Sequence, residues 1–160
     1  MGRVRKEMDG HANNPKAAAF DNTIAAVERS GALLTRTAKV FFNLSQSTTN
    51  DAIQKIEEAM ALKLSQHQDA ITLDPKLFAR VKAVYDQRAK LKLDPESDRL
   101  VEKYYDQFVR AGALLNNADK TKIKAMNERL ATLPTQFGMN VLASTTAGAV
   151  VVDNKTELAC

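Results

Sequence analysis

The sequence predicts an all-α protein, with about five main antiparallel-packed helices and one C-terminal strand segment lacking a partner. Three observations carry this reading. Apolar and small residues recur at three- and four-residue steps along most of the chain, which gathers them on one face of a helix. Helix starts are marked repeatedly, by two Asp-Pro pairs and by Asn or Asp caps. Strand-like composition is confined to one short stretch near the end, Gly148 to Asp153.

The chain is organised around Phe20 to Leu44. Ile24, Val27, Gly31, Leu34, Ala38 and Phe41 form a single stripe on a helix predicted from Thr23 to about Asn43. Asp21, Asn22 and Thr23 supply cap oxygens upstream. Leu33, Val40 and Leu44 widen the stripe, so burial on more than one side is expected. Gly31 costs about 1 kcal/mol against Ala in a helix interior, which implies close packing against it. Before this element, a short fraying helix through Val4 and Met8 is expected within Met1 to Asn14.

Ser45 to Asn50 breaks the pattern, and a second helix runs from about Asp51 to Ala70, with Ile53, Ile56, Met60 and Leu64 inward. Asp74-Pro75 opens a third helix, through Leu77, Phe78, Val81, Val84 and Tyr85. Asp94-Pro95 opens a fourth, with Val101, Tyr104, Phe108, Ala111 and Leu115. In each pair an acidic cap precedes a proline whose missing N–H would be unbonded at that position anyway. Asn116 and Asp119 cap a fifth helix marked by Ile123, Met126, Leu130, Leu133 and Phe137. Pro134 interrupts it and should bend or break it near Leu133.

The composition excludes several function classes. The 160 residues suit one domain, and 44% hydrophobic with 26% charged residues is ordinary for a globular protein. The net charge of +4 is spread among 19 acids without a basic stripe, so no nucleic-acid partner is implied. No apolar run approaches a membrane span, and MGRVRKEMDGHANN lacks the apolar core of a signal peptide, so no membrane partner is implied either. The single cysteine, Cys160, fits a reducing compartment and a cytoplasmic location.

Candidate chemistry is sparse. The only histidines, His11 and His67, lie far apart, neither with a second histidine at ligand spacing. His67, between Leu64 and Ile71, reads as a half-buried structural histidine, and His11 as a solvated side chain in a mobile end. Cys160 has no predictable base beside it. Glu57 and Glu58 are adjacent on a helix and point apart. In the aromatic pairs Phe41-Phe42 and Tyr104-Tyr105, one ring is expected in the core and the other at its margin. No catalytic, cofactor-binding or metal-binding residue is assigned.

Asn14-Pro15, Phe20-Asp21-Asn22-Thr23-Ile24, Glu28-Arg29-Ser30-Gly31 and Val40-Phe41-Phe42-Asn43-Leu44 carry a resemblance to a known family. It continues through Asn50 to Ile56, Pro75 to Ala83, Phe108 to Ala113, Thr135 to Gly138 and Val150 to Asp153. These strings resemble the N-terminal helical region of peptidyl-dipeptidases (dipeptidyl carboxypeptidases), in the thimet oligopeptidase and oligopeptidase A family of zinc metallopeptidases. The resemblance implies that residues 1–160 form a partial N-terminal helical lobe with the catalytic domain absent. It implies a parent enzyme that uses zinc and releases C-terminal dipeptides from short peptides. This lobe would form a wall of the substrate channel and be inactive without the missing C-terminal catalytic part, its expected partner. The family's zinc is held by an HExxH helix, a motif this sequence lacks. The alternative is a stand-alone helical interaction module without enzymatic activity.

Overall fold

In the computed structural model, which describes residues 1–150 together with 152 and 154, every regular element among the described residues is helical. The order is α1 (Gly2–Ala12), a π-helical turn (Phe20–Ile24) running into α2 (Ala25–Arg29), α3 (Ala32–Ser47), α4 (Asp51–Thr72), α5 (Pro75–Asp86), the short α6 (Arg88–Leu91), α7 (Pro95–Ala111) and α8 (Asn117–Ala147). The five main helices read from the sequence are α3, α4, α5, α7 and α8.

Cap chemistry fixes where they begin. Asp74 accepts hydrogen bonds from the backbone N–H groups of Lys76 and Leu77 at 2.8 and 2.9 Å. Asp94 does the same for Glu96 and Ser97 at 3.1 and 3.0 Å. Asn50 and Asn116 cap α4 and α8 by accepting from Ile53 and Asp119. Each such cap is worth roughly 1 kcal/mol over alanine. Gly112 ends α7 at φ +101, a left-handed conformation that strains any residue with a Cβ, and a Cβ there would also press on Leu115 Cδ1 at 2.8 Å.

The core lies where the π-turn, α5 and α7 meet. Val81, Val84 and Val101 are wholly buried, with Ile24, Leu77 and Phe108 almost or fully so. Each such side chain stabilises the fold by roughly 1.5–3 kcal/mol relative to exposure. Phe78 stacks between Tyr105 and Phe108, at 6.0 and 6.1 Å between centroids, and Tyr85 stacks on Tyr105 at 3.9 Å. Tyr104 and Tyr105 are both half-buried against the core. The Tyr104 phenol donates to Glu28 across to α2, and burial followed by that carboxylate pushes its pKa well up. α4 and α8 run antiparallel: Asn127 donates to Asp69 at 2.7 Å, Gln66 to Glu128 at 2.9 Å and Gln136 to Glu58 at 3.4 Å. Position numbers fall along one helix as they rise along the other.

Several expectations are corrected. The helix predicted from Thr23 to Asn43 is broken at Ser30-Gly31, because Gly31 takes the left-handed φ of +75. A Cβ at Gly31 would still meet Val4 Cγ1 at 3.4 Å, so the expected close packing is there, at a corner and not within a helix. Leu33, Val40 and Leu44 are exposed, against the expectation of burial on more than one side. Ile56, expected inward, is also exposed, because α4 turns its other faces to α3 and α8. α1 is docked, since Val4 and Met8 are buried against Ile24, Val27 and α5, which removes the expected fraying. α8 runs unbroken through Pro134, with the Thr135 hydroxyl donating to the Ala131 carbonyl beside the disrupted turn. The strand expected at 148–153 falls partly on residues 151 and 153, outside the described residues. Gly148 to Val150 are turn and coil.

Candidate functional site

A groove of about 650 Å³ lies between α1, α3 and α4. The corner at Gly31 creates it by swinging α3 away from α2. Val4 and Met8 form its floor, Leu34, Ala38 and Phe42 one wall, and Leu64 and Ile71 the other, with His67 set in that second wall. Burial, then the charged N-terminus and Arg5, lower the pKa of His67 from its ordinary 6.5. The imidazole is half-buried, as the sequence reading expects. It gains no catalytic partner, because the groove around it is lined by apolar side chains, Ser30, Thr35, Gln68 and Lys39.

His11 sits elsewhere, and not as a solvated side chain. Its Nε2 lies 3.0 Å from Ser30 Oγ at the α2–α3 corner. A Ser–His pair invites comparison with a nucleophile and its base, but the proton count decides otherwise. Ser30 Oγ donates its one proton to the Ala26 carbonyl at 2.8 Å, so the His11 N–H must donate to the serine. The pair is a brace for the corner.

The carboxylates are dispersed. Asp69 is buried, with Oδ1 held by Asn127 and Oδ2 unpartnered in the protein. It borders a polar pocket of about 400 Å³ with Arg5, Lys124 and Glu128. Glu58 reaches Gln136, while Glu57 borders a different hollow beside Pro134. Among the described residues no three His, Cys, Asp or Glu side chains gather to hold a metal ion. A catalytic zinc takes three protein ligands with an open fourth position, and the described donor set does not fit one. Cys160 lies outside the described residues. Among those residues no helix is long and apolar enough to cross a membrane.

Two polar residues escaped the sequence reading. Arg80 donates to the carbonyls of Asn14 and Lys16 and to the side chains of Asn22 and Thr23, tying the segment before the π-turn to α5. Its position between Leu77 and Val81, on the apolar face of α5, was the available signal. Asp69 gave none, since it faces α8 and lies off the apolar stripe of α4.

Fold and site together define an all-helical protein, and among the described residues no three potential metal ligands gather. The similarity of the sequence is more specific. The chain is 44% identical over 159 residues to the dipeptidyl carboxypeptidase of Escherichia coli (strain K12), covering 99% of this chain and 23% of that protein. It is 44% identical over 155 residues to the dipeptidyl carboxypeptidase of Salmonella typhimurium (strain LT2), covering 97% of this chain and again 23% of the relative. The chain therefore spans about a quarter of the length of the curated relatives it matches, and over that span its sequence is similar to theirs. No family model matches it.

Proposed function

We propose that this chain forms one wall of the substrate channel in a dipeptidyl carboxypeptidase-like zinc metallopeptidase, and that by itself it has no peptidase activity. The observation that carries the reading is near-complete coverage of this chain by relatives of that name, at an identity that rules out chance helical likeness. The substrates of the whole enzyme would be short peptides with free C-termini, from which dipeptides are released in the cytoplasm. The zinc, and the base that takes a proton from its water, would be supplied by residues with no counterpart in the described part of this chain. The role of the helices here is to shape and narrow access to that chemistry.

The test has two parts. The purified chain is assayed on an N-blocked peptide with a free C-terminus, with zinc added, and then its 160 residues replace the matching segment of the Escherichia coli relative. No dipeptide release from the chain alone and chelator-sensitive release from the chimera are expected. Chelator-sensitive release by the chain alone, or a folded chimera without activity, would overturn the proposal.

A further inference from the structure

From Leu130 to Ala147, α8 carries no charged side chain at all. Surface helices normally keep charge on the face turned to water, so a neutral run of this length signals a face meant to be covered. The apolar residues on it are ordered. Met126, Leu130, Leu133, Phe137 and Val141 follow steps of three and four, and at 3.6 residues per turn they fall within an arc of about 80°. They are 59, 64, 47, 71 and 48% exposed. The opposite side of α8, through Asn127, Glu128 and Thr135, is the one that faces α4.

Such a stripe matches the seam by which one helix packs on another. Lipid is a poor occupant, because α8 is not apolar enough to cross a membrane and its neutral half carries Gln136, Asn140, Ser144, Thr145 and Thr146. A protein occupant is at hand in the relatives, whose chains are about four times as long as the matched segment. We infer that the outer stripe of α8 is the docking seam for an apolar helical face belonging to the remaining length of a dipeptidyl carboxypeptidase-like chain. The inference rests on the proposed function and names the surface through which this lobe joins the rest of the enzyme.

Cysteine accessibility tests it without reading catalysis. Leu130→Cys and Phe137→Cys are made separately in the chain, with every other cysteine replaced by serine, and again in the chimera with the Escherichia coli relative. Maleimide labelling is expected to be fast in the isolated chain and slowed at least about tenfold in the chimera, the mark of a closed contact. An exposed control, Lys122→Cys, is expected to label fast in both. Fast labelling of Leu130→Cys and Phe137→Cys in a folded chimera would overturn the docking seam even if the chimera released dipeptides. Slow labelling in an inactive chimera would keep the seam and discard the channel-wall role. Protection in the isolated chain that grows with its concentration would assign the stripe to a second copy, which also overturns the inference. Should the chimera fail to fold, the labelled chain is mixed with the separately expressed remainder of the relative. Protection that Leu130→Lys abolishes at position 137 supports the seam, and no protection overturns it.

Discussion

Val81, Val84 and Val101 have no exposure to solvent, whereas Leu130 and Phe137 stay 64 and 71% exposed, although all five occupy apolar stripe positions of regular helices. The first three lie where α5 and α7 close on the π-turn and α1. The other two lie on the outer side of α8, in an arm with α3 and α4. The same three-four spacing therefore has two outcomes in one chain. Periodicity says that a face is to be covered and is silent on whether the cover lies within the chain.

The largest expected effect separates the two regions directly. Phe108→Ala removes a buried ring stacked on Phe78, and should cost about 3–5 kcal/mol of unfolding free energy, read from denaturant titration. Phe137→Ala should move it by no more than about 0.5 kcal/mol, as for other exposed sites. Equal losses at the two positions would break the division into a closed region and an open arm.

Pro134 probes the arm itself. α8 continues through it, so the ring denies the Leu130 carbonyl its usual donor. Pro134→Ala should restore that bond and raise the stability of α8 by up to about 3 kcal/mol, read as slower amide exchange around residues 130–138. Faster exchange there would show that the proline is needed by the local geometry. In the closed region, Arg80→Ala should cost roughly 2 kcal/mol, since its guanidinium bonds hold two carbonyls and two side chains. Arg80→Lys should recover only part of this, because an ammonium cannot span the fork. A silent Arg80→Ala would mean the segment from Asn14 to Thr23 is positioned by its apolar contacts alone.

Much of this was legible in the chain. Asp74-Pro75, Asp94-Pro95 and Asn116 mark the starts of α5, α7 and α8 because cap chemistry is local, needing only a side-chain oxygen and the next few amides. The break at Gly31 was not legible, since glycine is compatible with both a helix interior and a left-handed corner, and contact with Val4 favours the second. The exposure of Leu33, Val40 and Leu44 was illegible for the reason that separates the two regions. At the candidate site, the half-buried His67 followed from its place in the α4 stripe. The His11–Ser30 brace joins positions nineteen residues apart and depends on that same corner. Arg80 could have been suspected, because a charge between two core positions must find partners when it folds inward.

His67 lies at the seam between the closed region and the arm, and it carries the smallest expected effect. Its ring is set in the groove wall, with Arg5 and the chain N-terminus on α1, Lys39 on α3 and Lys63 on α4 as the charged groups around it. Burial first, and then the charged N-terminus and Arg5, disfavour the imidazolium, so the folded state holds the ring neutral more firmly than the unfolded chain does. The folded pKa lies below 6.5, so between the two values the unfolded state binds more protons. Stability then rises with pH through that window and is lost as pH falls below about 6.5, the unfolded value. The thermal midpoint should thus decline modestly from pH 7.5 to 5.5, and His67→Gln should flatten that part of the profile without changing the midpoint much at pH 7.5. A profile of unchanged slope in His67→Gln would place the titration on another group. A midpoint that climbs as pH falls through the window would mean an acidic partner closes on His67, and that the arm sits nearer the core than this groove allows.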